Sequence, residues 1–131
     1  METTVRNLFW SFFLAIALTI LACSSDRAVE SLKKLGTEAF NAQGWAHASE
    51  QERGTMIYDF IQMNSPITNK DRSFIISQLG ENTGYYDYDH FPAYYIGPRP
   101  PDSNAKAYLI AFTINHKTNR VTSVHVEPPI R

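Results

Sequence analysis

Apolar and polar positions follow three different rhythms along this chain. From Asn7 to Ser25 no residue is charged, and Leu8 to Ala22 is dominated by Leu, Ile, Phe and Ala before the run ends at Cys23. Between Ser49 and Gly80 the apolar residues recur at helical spacing. Met56, Phe60 and Met63, with Ile57 and Ile61 beside them, form one stripe, and Phe74, Ile75, Gln78 or Leu79 a second. After Gly80 the period shortens to two. Tyr108, Ile110, Phe112 and Ile114 fall on one face of an extended segment, with Ala107, Leu109, Ala111 and Thr113 on the other.

Local signals bound these segments. Ser49-Glu50-Gln51-Glu52 matches a capping box, in which hydroxyl and carboxylate satisfy each other's exposed amides, and Asn64-Ser65-Pro66 ends the helix. Thr68-Asn69-Lys70-Asp71 repeats the hydroxyl-to-acid spacing and predicts a second start. Gly80 stops that helix, because glycine accepts positive φ. Two helices joined so closely make an αα-hairpin. Upstream, Gly36 and Gly44 interrupt the chain around Phe40 and Trp45, which are expected to anchor to the core. Downstream, Tyr94-Tyr95-Ile96 is a short strand ended by Gly97-Pro98. Lys106 to Asn115 is the strongest strand, His116 to Asn119 a turn, and Val121 to Val126 the returning partner, closed by Pro128-Pro129. Helices first and a meander afterwards predict an α+β domain, with the αα-hairpin packed on one face of a small antiparallel sheet.

The first run reads as a bacterial lipoprotein signal. Arg6 gives it a positive head, weakened by Glu2, and Ile20-Leu21-Ala22-Cys23 resembles the lipobox that precedes cleavage and lipid attachment to the cysteine sulfur. An uncleaved anchor is the alternative, since a span needs about 17–25 residues. Ser11 and Thr19 dilute the run, and no Lys or Arg flanks its far side. Either outcome leaves Arg6 inside and the rest outside. Cys23 is the only cysteine, and lipidation explains an unpaired one in an oxidising compartment. Ser24, rather than Asp, follows it, as in lipoproteins of the outer-membrane class. The expected organisation is a signal peptide over 1–22, a lipidated Cys23 with a polar tether over 23–39, and an α+β domain over 40–131. Val29, Leu32 and Leu35 give the tether only a thin apolar stripe.

The formal net charge is −1, from 12 Lys+Arg against 13 Asp+Glu. That excludes the basic face expected of a nucleic-acid binder. An aromatic content of 13% favours a packed body over disorder.

Chemistry is sparse. Asp87, Asp89 and His90 stand within four residues, with His116 and His125 as the nearest further metal ligands by type, yet no diagnostic ligand spacing is present. Neither a metal nor another cofactor is expected. An acid–base pair would have to come from Asp87 or Asp89 with His90. No nucleophile elbow exists, Cys23 is committed to lipid, and His47 reads as a surface residue, so no enzyme is expected. The tyrosines are the stronger hint. Tyr85, Tyr86, Tyr88, Tyr94 and Tyr95, with Phe91 among them, crowd one stretch, and tyrosine is enriched at protein interfaces. Core filling competes with that reading.

Arg53-Gly54-x-Met56-Ile57-x-Asp59-Phe60-Ile61, then Ile67-Thr68, Ile75, Leu79-Gly80, Tyr94-Tyr95-Ile96-Gly97 and Leu109-Ile110-Ala111-Phe112, resemble the small lipoproteins of the SmpA/OmlA (BamE-like) group. The resemblance spans about Phe40 to Val126. Asn69 stands where that group usually has Gly, and Glu81-Asn82 where it often has Pro. The resemblance implies a fold similar to the β-lactamase inhibitory protein repeat, and non-enzymatic docking onto envelope proteins, the barrel-assembly machinery among them. The expected function is therefore a lipid-anchored envelope interaction module at the periplasmic face of the outer membrane. Two alternatives stand beside it. One is an inhibitor or ligand-sensing domain working through the Arg99 to Asn104 loop. The other is a metal-dependent enzyme centred on Asp87, Asp89 and His90.

Overall fold

The computed structural model describes residues 25–131, so the expected signal peptide over 1–22, Cys23 and Ser24 lie outside the described residues. Helix α1 (residues 25–31) runs into a 3-10 turn at Leu32–Lys34. It is followed by α2 (Ala42–His47), α3 (Glu50–Met63), a second 3-10 turn (Ile67–Asn69) and α4 (Arg72–Leu79). Strands β1 (Ala93–Ile96), β2 (Tyr108–Ile114) and β3 (Val121–Glu127) form one antiparallel sheet in the order β1-β2-β3. The α+β class is the one the sequence predicts.

Helix α3 begins where its capping box says. The Glu52 amide donates to Ser49 Oγ at 3.2 Å, and the Ser49 amide to Glu52 Oε2 at 3.0 Å. Its apolar stripe is shorter than expected, because Phe60 is buried while Met63, three residues further along the same stripe, is 63% exposed. Helix α4 corrects a second expectation. Thr68 lies inside the 3-10 turn, and the cap is Asp71, whose carboxylate accepts from the Phe74 amide at 2.8 Å. An ionised oxygen is the stronger acceptor for exposed N–H groups at a helix start. Helix α2 begins at Asn41, whose side chain accepts from the Gly44 amide.

One face of the sheet meets the helices. Tyr94 and Ile96, then Tyr108, Ile110, Phe112 and Ile114, then Val121 and Val124 all enter the main core. Rings link the layers. Phe60 lies 4.8 Å from Phe40, 6.4 Å from Phe74 and 6.4 Å from Phe112, and Trp45 lies 6.0 Å from Tyr94. Burying each such side chain is worth about 1.5–3 kcal/mol. The Trp45 indole N–H donates to the Leu79 carbonyl at 2.9 Å, which binds α2 to the end of α4.

Both sheet edges are partly covered, which leaves fewer free backbone groups for pairing with other chains. Along β1, the Thr83 and Gly84 amides donate to the Ala93 carbonyl at 3.0 and 3.1 Å, and the Tyr95 amide to Thr83 Oγ1 at 2.8 Å. Along β3, the Val121 amide donates to the Lys70 carbonyl at 2.9 Å, and the Val124 amide to Ser25 Oγ at 3.1 Å.

That last bond changes the expected organisation. The stretch assigned to a tether over 23–39 is folded onto the domain from residue 25. Leu32 is fully buried in the core, Val29 and Leu35 pack around it, and the Lys33 ammonium stands 5.2 Å from the Tyr58 ring. One deeply buried leucine outweighs the polar character of its neighbours, which face solvent.

Candidate interaction surface

The segment between α4 and β1 carries the crowded tyrosines, and its backbone is tied down. Gly80 leaves α4 at φ 79°. Asn82 Nδ2 donates to the Phe91 carbonyl at 2.6 Å and the Asp89 carbonyl at 3.3 Å, while Arg72 Nε donates to the His90 carbonyl at 2.8 Å. Asp87 takes a left-handed conformation at φ 54°, one that aspartate tolerates better than most residues.

This frame separates the five tyrosines expected to form one recognition surface. Tyr94 is core. Its ring is fully buried, its hydroxyl donates to the Gly80 carbonyl at 2.7 Å, and burial pushes the hydroxyl pKa far above its ordinary value. Tyr86 is half-buried on the sheet face opposite the helices, where it covers Ala93, Leu109 and Ala111. Ala93 and Ala111 are register partners, and His125 is the next partner across. The two small residues leave a notch for the Tyr86 ring, which stacks on His125 at 5.1 Å with 22° between the planes. Desolvation there raises the Tyr86 pKa, helped by the Asp87 and Glu127 carboxylates. Tyr85, Tyr88 and Tyr95 stand out at 60%, 55% and 40% exposure. Tyr95 and Leu109 both approach Gly84, where a Cβ would lie 2.4 Å from a Leu109 methyl.

Tyr88 sits in a separate aromatic group. Its ring is 5.3 Å from Phe91, 5.5 Å from His90 and 6.1 Å from His116, and the two imidazoles are 4.9 Å apart. His90 Nε2 is buried without a hydrogen-bond partner. The other candidate ligands do not join it. Asp87 and Asp89 are exposed, and His125 is engaged with Tyr86 and Ser123, its Nε2 lying 2.9 Å from Ser123 Oγ. Among the described residues no three His, Cys, Asp or Glu side chains converge as a metal site. His47 is exposed at the end of α2.

The Arg99 to Asn104 loop buries Pro100 and exposes most of its other residues. With Tyr108, Pro128 and Arg131 it borders a shallow groove of about 200 Å³. The notch at Ala93 and Ala111 escapes sequence reasoning, although alternation does place both alanines on one face. Among the described residues no helix is long and apolar enough to cross a membrane. No family model, curated protein or solved structure matches the chain.

Proposed function

We propose that the protein is a lipid-anchored interaction module of the bacterial envelope, held at the periplasmic face of the outer membrane through Cys23 and docking onto other envelope proteins. The observation that carries the docking half is the exposure of Tyr85, Tyr88 and Tyr95 on and beside one tied loop. Tyrosine offers large contact area at little entropic cost, which suits such a role. The anchoring half rests on the apolar run that ends in Ala22-Cys23-Ser24. The likeness to the SmpA/OmlA (BamE-like) group, with its fold similar to the β-lactamase inhibitory protein repeat, belongs to the same proposal. The stacking of Phe60 in α3 on Phe74 in α4, beside a three-stranded antiparallel sheet, supports it.

Crosslinking in cells that carry a tagged copy with Cys23 intact, followed by identification of the captured proteins, tests this reading. Recovery of barrel-assembly components supports it, and changing Tyr85, Tyr88 and Tyr95 together to Ala should abolish that capture. The groove beside Pro100 and Tyr108 favours a second reading, an inhibitor or sensing domain acting on an envelope enzyme. Capture of such an enzyme without assembly components, lost on substitution of the Arg99 to Asn104 loop, would select it instead.

A further inference from the structure

The position of Ser25 limits how far the domain can stand from its anchor. Ser25 Oγ accepts from the Val124 amide at the edge of β3, and α1 then continues over the domain until Leu32 enters the core. Only two residue steps separate Cys23 from Ser25. An extended chain covers at most about 3.6 Å per residue, so the anchoring cysteine lies within roughly 7 Å of the pinned serine. A lipid on Cys23 therefore leaves no free tether.

The surface beside this point is an open groove of about 320 Å³, with Arg27, Ala28 and Ser31 of α1 on one side and Val126, Pro129 and Ile130 on the other. Its walls mix the apolar Val126, Pro129 and Ile130 with the Arg27 guanidinium, the Ser31 hydroxyl and the His125 imidazole. Exposed charges nearby are mixed in sign: Asp26, Arg27, Lys34, Glu127 and Arg131, and Lys33 paired with Glu30 at 2.7 Å. A membrane-bound basic residue contributes about 1 kcal/mol only where a surplus of positive charge faces anionic lipid. Positive and negative side chains nearly balance here, so attraction to anionic lipid would add little, and the short reach from Cys23 is the stronger constraint.

We propose that the face formed by α1, the edge of β3 and Pro129-Ile130 is the membrane-seating face, packed against the headgroup and glyceryl layer of the phospholipid leaflet. This rests on the lipidation reading and adds an orientation to it. Helix α2 lies at the opposite edge of the sheet, where Trp45 packs on Tyr94 of β1.

The test uses the full lipidated chain in phosphatidylcholine vesicles. The chain's only cysteine is consumed by lipid, so a fluorophore attaches uniquely to Arg27→Cys, Pro129→Cys or Gln43→Cys, all at exposed positions. Headgroup nitroxides should quench the labels at positions 27 and 129 several-fold more than the label at 43. A flexible spacer of about ten Gly/Ser residues between Ser24 and Ser25 adds roughly 17 Å of reach and should erase the difference. Intact-mass analysis separates the two ways of failing. An unmodified Cys23 overturns the anchoring reading and the seating with it. A lipidated Cys23 with equal quenching at all three positions overturns the seating alone.

Discussion

Gly54 on α3 and Gly97 at the end of β1 meet backbone to backbone. A Cβ on Gly54 would stand 1.9 Å from the Gly97 carbonyl oxygen, and the Gly97 amide donates to the Glu50 carbonyl at 2.7 Å. The obstacle is main chain, so no rotamer can relieve it. Gly54→Ala should therefore cost about 3 kcal/mol or more, the severe end of overpacking. Urea denaturation would measure this, and a loss under about 1 kcal/mol would show that α3 can lift off the strand.

Tyr94 and Tyr95 are neighbours with opposite fates, and stability should separate them. Tyr94→Ala is expected to cost about 3–5 kcal/mol, as for other buried aromatics. Tyr94→Phe should cost only about 1 kcal/mol, the hydrogen bond to the Gly80 carbonyl. Tyr85→Ala, on the exposed loop, should stay within about 0.5 kcal/mol of the parent. Thermal or urea unfolding of the three variants checks the order.

Alkaline pH should weaken the fold. The Tyr86 and Tyr94 hydroxyls both have raised pKa values, with burial as the main cause. The folded chain therefore keeps protons that the unfolded chain releases. Stability is full below the ordinary tyrosine value of about 10 and declines as pH rises through the folded values. Denaturant midpoints compared between about pH 8 and pH 11 should fall, and Tyr86→Phe should fall less steeply. Midpoints that stay level would refute the linkage.

Acid acts through the cap of α4. The Phe74 amide, and next the Ser73 hydroxyl, hold the Asp71 carboxyl below its ordinary pKa. Its contribution is present above the unfolded value and is lost as pH falls through the lower, folded one. Asp71→Asn keeps a capping oxygen but has no proton to take up. Its unfolding midpoint should depend less on pH at the acid end than the parent's, which a denaturant series at low pH would show.

How much of this is legible in the sequence depends on where each residue finds its partner. Helix α3 is legible because Ser49 and Glu52 satisfy each other locally, and β2 because its alternation is long. Thr68 and Asp71 both have capping chemistry, and only the extended backbone at Lys70 decides between them. Tyr94 and Tyr95 must face opposite ways in a strand, but which one meets the helices is set by Trp45 and Gly80 from elsewhere in the chain. Leu32 is a single apolar residue in a polar stretch. Its burial comes from the tertiary core it enters, so a local apolar stripe cannot reveal it. The three exposed tyrosines are visible as a composition anomaly, whereas the seat for Tyr86 needs the register that pairs Ala93 with Ala111.

The bond from the Val124 amide to Ser25 joins positions 99 residues apart. Closing so long a loop is slow relative to forming turns and helices, because its entropy must be spent before the contact repays it. A chain that emerges N-terminus first delivers Ser25 well before β3. Until β3 arrives, the edge that α1 covers does not exist, and Leu32 has only part of its core to enter. Completion of the fold around α1 is thereby timed to the arrival of β3, and truncation within β3 would leave that helix without its seat.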